Sequence, residues 1–65
     1  MSLGKKIKFA RMENHMKQIE LAEHLGIGSG TVSDYEHDKA LPSLPMFKKI
    51  CELLNLSADE LLDLK

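Results

Sequence analysis

Disulfides are the first thing this chain lacks. Cys51 is its single cysteine, so no internal bridge can form, and a lone thiol suits a reducing compartment. Tryptophan is absent and aromatic side chains make up only 5% of the residues. A domain of 65 residues buries little surface, so its stability rests on a few aliphatic side chains that pack closely or on dimerisation. The same shortness points to a single domain over residues 1–65 without a large enzymatic cleft. No apolar run approaches the roughly 18 residues that read as a membrane span. The basic stretch Met1 to Lys8 is not followed by an apolar signal region, so the expected location is the cytoplasm.

Metal and catalytic constellations are missing as well. His15, His24, His37 and Cys51 are scattered without the paired short spacings of a zinc site, so no metal and no cofactor are expected. Ser33, Asp34 and His37 fall on one short helical segment with no oxyanion device, which argues against hydrolysis and against an enzyme. There is also no surplus of one charge. The net charge is −1 and the isoelectric point is about 6.3, which is weak support for a polyanionic partner. The distribution carries more information. Residues 1–17 hold Lys5, Lys6, Lys8, Arg11 and Lys17 against Glu13, a net +4. Residues 18–43 hold Glu20, Glu23, Asp34, Glu36 and Asp38 against Lys39, a net −4. One end is a candidate phosphate-docking surface, while the acidic middle would repel DNA unless its carboxylates face away or are paired.

What is present is helical periodicity. Leu3, Ile7, Ala10 and Arg11 recur at helical spacing and predict an amphipathic helix over 3–14, ended by Asn14 and His15. Leu21, Ala22 and Leu25 predict a second helix over 17–25, stopped by Gly26. Gly26-Ile27-Gly28 reads as a tight turn. A third helix over 29–37 places Val32, Tyr35 and Glu36 on one side and Ser29, Gly30, Ser33, Asp34 and His37 on the other. Residues 38–43, with Pro42, form a connecting loop. Ser43 caps a fourth helix over 44–54 with Leu44, Phe47, Ile50, Cys51 and Leu54 at helical spacing, and Pro45 is tolerated in its first turn. Asn55 closes it. Ser57-Ala58-Asp59-Glu60 has the pattern of a capping box that opens a fifth helix with Leu61, Leu62 and Leu64. No strand pattern or internal repeat accompanies these segments. The expected fold is all-α, with five short helices.

Helices two and three, joined by a glycine turn between Gln18 and Glu36, have the length and turn chemistry of a DNA-reading helix-turn-helix. The first helix of such a pair packs across the second through Leu21, Ala22 and Val32. That packing lets the small polar outer face of the second enter a major groove.

On these residues the chain resembles the Xre-type helix-turn-helix proteins, which include the Cro and repressor DNA-binding domains of lambdoid phages. The resemblance runs nearly end to end. It is carried by Leu3-Gly4-Lys5-Lys6-Ile7, Arg11, Gln18, Leu21-Ala22, Leu25-Gly26-Ile27, Thr31-Val32-Ser33, Tyr35-Glu36, Pro42-Ser43, the Phe47/Ile50/Leu54 stripe, Leu56-Ser57 and Glu60-Leu61. Two departures are Lys17, where the family usually has a Ser or Thr cap, and Asp38, in place of the usual glycine after helix three. The resemblance implies a compact lambda-repressor-like domain. It implies that Gln18 bonds a backbone phosphate and buttresses helix three, that Ser29, Gly30 and Asp34 face the bases with Ser33 and His37 nearby, and that Thr31 touches phosphate. Lys39 and Lys17, with Lys6, would add phosphate charge. Asp34 would accept from a cytosine amino group, although it reads equally well as a solvated carboxylate or as part of a protein-binding surface. Arg11 and Glu36 correspond to a family ion pair that links helix one to the end of helix three.

Two functions follow. One is a sequence-specific double-stranded-DNA-binding regulator, a repressor that acts as a homodimer on a palindromic site, with dimer contacts through helices four and five, where Met46, Leu53, Leu62 and Leu64 look like apolar surplus. The alternative is a protein-interaction module, such as an antitoxin or adaptor, with weak or no DNA binding. Neither implies a membrane or a small-molecule ligand.

Overall fold

Residues 1–57, which the computed structural model describes, form four helices: α1 (Leu3–Glu13), α2 (Gln18–Leu25), α3 (Ser29–Glu36) and α4 (Leu44–Leu54). These bounds lie within one residue of those read from periodicity. The fifth helix expected from Ser57, with Leu61, Leu62 and Leu64, lies outside the described residues.

Helices α1, α2 and α4 start where a nearby side chain meets a backbone amide at the helix entry. Ser2 accepts from the Lys5 N–H at 3.2 Å and Ser43 from the Met46 N–H at 3.3 Å. Lys17 has no side-chain acceptor to offer at the start of α2. Glu20 instead reaches back and accepts from the Lys17 N–H at 2.8 Å, which is half of a capping box. The departure at Lys17 therefore leaves the helix start intact.

The four exits share one geometry. His15, Gly26, Asp38 and Asn55 all have left-handed backbone, with φ of 57°, 72°, 60° and 57°. The residue after each donates back across the helix end: Met16 to Arg11 O, Ile27 to Ala22 O, Lys39 to Asp34 O and Leu56 to Cys51 O, at 2.8–3.2 Å. These are Schellman closures, which satisfy carbonyls that a helix end leaves open. Met16, Ile27 and Leu56 then lean on the core, so three of the closures also carry the apolar contact that accompanies the motif.

The core takes Ile7 and Ala10 from α1, Leu21, Ala22 and Leu25 from α2, Val32 from α3, and Ile50, Cys51 and Leu54 from α4. Ile7, Leu21, Val32 and Ile50 are at most 1% exposed, and each such burial is worth about 1.5–3 kcal/mol. Burial also pushes the Cys51 thiol above its ordinary value, so it packs as a small apolar side chain. Two apolar readings change. Leu44, expected on the inner stripe of helix four, is 84% exposed, because it occupies the first helical position before the helix reaches the core. Met46 and Leu53, read as apolar surplus, are half-buried against the core.

Helix α1 is fastened to α3 at two points. Arg11 Nε donates to Glu36 Oε2 at 2.6 Å and Nη2 donates to Oε1 at 3.3 Å, while Nη1 donates to the Met16 carbonyl at 2.7 Å. The Glu36 side chain is 1% exposed and that of Arg11 is 11% exposed. Asp38 Oδ1 accepts the Gly4 N–H at 2.9 Å, which places a carboxylate at the amino end of α1, where the helix dipole favours it. Hydrogen bonds from Ser2 and the Gly4 amide hold the Asp38 carboxyl below its ordinary value. Gly4 makes this approach possible. A Cβ there would lie 2.5 Å from Tyr35 O and 2.6 Å from Glu36 O, both backbone atoms that cannot step aside.

Four consequences are measurable. Gly4→Ala should lower the urea midpoint, because a clash of about 1–3 kcal/mol outweighs the roughly 1 kcal/mol gain in helix propensity. Gly30→Ala, with open space around it, should instead raise the midpoint through a stability gain of up to about 1 kcal/mol. Arg11→Ala or Glu36→Ala alone should cost about 3–5 kcal/mol by stranding a buried charge, whereas Arg11→Met combined with Glu36→Leu should regain much of that loss on denaturation. Because the folded Asp38 carboxyl titrates below its unfolded value of about 3.8, its contribution is fully present above that pH. It is lost as pH falls through the folded value. Unfolding curves between pH 6 and pH 2.5 should therefore be flatter for Asp38→Asn than for the parent chain.

Candidate nucleic-acid interface

The Gly26-Ile27-Gly28 turn reverses the chain between α2 and α3. Leu21, Ala22 and Leu25 on one helix and Val32 on the other are buried together, which fixes the pair as a unit. Gln18, the first residue of α2, donates from Nε2 to Glu36 Oε1 at 2.9 Å. Glu36 therefore receives hydrogen bonds from Arg11 and Gln18, on α1 and α2, and the last turn of α3 is held from two sides. Gln18 thereby braces the end of α3, and its amide oxygen has no donor among the described residues.

Opposite Val32 and Glu36, the exposed surface of α3 is built from Ser29, Gly30, Thr31, Asp34 and His37, with Ser33 half-buried beside them. Nothing lies within 4 Å of a Cβ built on Gly30, so this surface admits close approach to the backbone. Helix α3 starts after Gly28 without a side-chain cap. The Ser29 and Gly30 amides have no acceptor among the described residues and point out of a positive helix end. Lys17 and Lys39 are exposed at the start of α2 and just after α3. At the other end of the face, His37 Nδ1 lies 2.8 Å from the Ser33 carbonyl oxygen and 3.3 Å from the Ser33 hydroxyl.

The acidic middle of the chain resolves into separate jobs. Glu36 is consumed by Arg11 and Gln18, Asp38 by the start of α1, and Glu20 by the Lys17 amide. Asp34 alone stands on the exposed α3 face as a carboxylate with no partner among the described residues. Two supports escaped the sequence reading. Gly4 carries no side-chain chemistry that would reveal a close approach. Asp38 looks like a loop carboxylate until the fold brings it to the Gly4 amide, 34 positions away.

A family model described as a helix-turn-helix domain matches residues 4–65. Among curated proteins, the HTH-type transcriptional regulator ImmR of Bacillus subtilis (strain 168) is 44% identical over 62 residues, which cover 95% of this chain and 49% of ImmR. The ImmF control region 10 kDa protein of Bacillus phage phi105 is 41% identical over 59 residues, covering 91% of this chain and 66% of that protein. The chain thus spans about half to two thirds of the length of these relatives. Among solved structures, the P22 c2 repressor protein, crystallised with a synthetic operator, matches with a TM-score of 0.88 over 94% of this chain and 92% of that one. At 21% identity this is a likeness of fold. By its matched residues and its architecture, the chain belongs to the helix-turn-helix domain family, in the Xre-type, phage-repressor-like form that its sequence resembles.

Proposed function

We propose that this chain is a sequence-specific binder of double-stranded DNA that acts as a transcriptional regulator, a repressor, by placing α3 and its following residue, about 29–37, in the major groove. The observation that carries this reading is the exposed small polar face of α3, held from behind by the buried Arg11–Glu36 pair and half-buried Gln18. A rigid helix whose outer side chains are short permits close approach to base edges, and rigidity limits the entropy lost on docking. The regulatory sense is supported by the likeness to a transcriptional regulator and by the fold shared with a repressor crystallised on an operator.

In this reading Ser29, Gly30 and Asp34 meet base edges, with Ser33 and His37 beside them. Gln18, Thr31, Lys17 and Lys39 meet phosphate, helped by the free amides at the start of α3. Gly30 makes no hydrogen bond of its own from a side chain and serves by its smallness. A homodimer on a palindrome with half-sites about one helical turn apart suits a domain of this size. Its contacts would run through α4 and the residues after it, and exposed Leu44 at the start of α4 and Leu41 just before it add apolar surface. The work is binding without catalysis, carried out in the cytoplasm. The unpartnered Asp34 carboxylate and the net charge of −1 favour a second reading, in which the same face meets a protein.

Salt separates the two. Titrating the labelled protein with a mixed-sequence duplex at low salt should shift the amide resonances of Gln18, Ser29 to Asp34 and Lys39, and added salt should reverse the shifts. Lys17→Ala and Lys39→Ala should each lower the slope of log affinity against log salt by about 0.9. Ser29→Glu should abolish the response by adding bulk and negative charge to the face that has to enter the groove of a polyanion. An α3 that stays silent under all salt conditions would transfer the function to the protein-partner reading.

A further inference from the structure

Ser33 and His37 lie one helical turn apart, and the contact between them decides which proton the imidazole carries. His37 Nδ1 is 2.8 Å from the Ser33 carbonyl oxygen. A carbonyl has no proton to give, so a hydrogen bond at this distance requires a proton on Nδ1. The Ser33 hydroxyl, 3.3 Å from the same nitrogen, provides a second acceptor beside it. The neutral ring is thereby held in one tautomer, with Nε2 left as a bare acceptor that has no partner among the described residues. His37 is exposed, so this nitrogen is open to a ligand.

Asp34, three residues earlier and also exposed, adds two carboxylate oxygens without a partner. Glu36 turns inward between the two, and Tyr35 is half-buried. The carboxyl-terminal half of the exposed α3 face therefore offers Asp34 and neutral His37 as acceptors alone. In a major groove the complementary donors are the exocyclic amino groups of cytosine (N4) and adenine (N6), since the other polar edge atoms accept. We propose that Asp34 and His37 together select amino-bearing base edges at this end of the reading helix, and that His37 does so only in its neutral form. This rests on the DNA-binding reading above and adds to it the base edge and the protonation state.

A proton on Nε2 reverses the role of the ring. The acceptor becomes a donor with positive charge, which abandons an amino group and attracts a phosphate oxygen instead. Contact with the chosen sequence weakens while attraction to any sequence grows. The charged group the ring acts on is Asp38, in the turn that follows, and Lys5 from the start of α1 acts on the same carboxylate. Asp34 and Lys39 are the ring's exposed charged neighbours along the chain. Asp38 is engaged by the Gly4 amide and stays with α1.

Duplexes selected from a random library at pH 8 supply the specific probe, and a mixed-sequence duplex supplies the control. Fluorescence anisotropy at pH 8 and at pH 5.5 compares the two duplexes under basic and acidic conditions. The selected sites should carry cytosine or adenine at the position that loses its preference in Asp34→Ala. The ratio of specific to mixed-sequence affinity should fall by about fivefold on acidification, the worth of one hydrogen bond. The salt slope for the mixed duplex should steepen by about 0.9. Neither change should occur in His37→Gln. A ratio indifferent to pH, or one that moves equally in His37→Gln, would overturn the role of His37 and leave DNA binding standing. Imidazole nitrogen shifts of the free protein at pH 8 test the tautomer without DNA, and a predominant Nε2–H form would overturn the proposal at its base. Failure of every duplex to bind at both pH values would overturn the DNA-binding reading and this proposal with it.

Discussion

Glu36 occupies the point where three helices meet, and its carboxylate has 1% of its side chain exposed. Such a charge is tolerated only if its lone pairs are filled. Arg11 fills it with two hydrogen bonds and Gln18 with a third, so the demand of one buried group ties α1 and α2 to the last turn of α3. Apolar packing around Val32 and Leu21 supplies attraction without direction. The ion pair supplies direction, because a guanidinium fork meets a carboxylate in few geometries. The orientation of the exposed α3 face depends on that constraint. Arg11 also closes its own helix end, since its third donor holds the Met16 carbonyl just beyond the left-handed His15.

The same economy governs the other charges. A net-acidic middle segment looked hostile to a polyanion, yet most of its carboxylates serve backbone amides or Arg11. Asp38 is the clearest case. It takes a left-handed conformation that a glycine would adopt more cheaply, and in return its side chain meets the amino end of α1. Gly4 is the counterpart, since only a residue without Cβ lets α1 come that near to the Tyr35 and Glu36 carbonyls. A substitution at one place and a bare backbone at the other make a single joint.

Local signals located the helices well. Gly26 as a stop, Ser43 as a cap and the aliphatic spacing of Leu21, Ala22 and Leu25 act over one or two turns, and such short-range chemistry is visible along a chain. The exposed face of α3 was legible for the same reason, since the buried positions Val32 and Glu36 leave Ser29, Gly30, Asp34 and His37 opposite by helical geometry alone. His15 and Asp38 as left-handed stops were less legible, because residues other than glycine reach that conformation only with help from their surroundings.

The sequence by itself determined the four described helices, the apolar set that joins them and, through its resemblance, the helix-turn-helix family. Periodicity and caps are properties of neighbours in the chain. Tertiary structure alone decided which apolar residues stay outside, leaving Leu44 in solvent while Met46 and Leu53 lean on the core. It also decided which carboxylates are engaged and that Asp34 stands without a partner among the described residues on the exposed α3 face. Those outcomes depend on contacts between residues 25 and 34 positions apart, Arg11 with Glu36 and Gly4 with Asp38, which form only once the helices have packed.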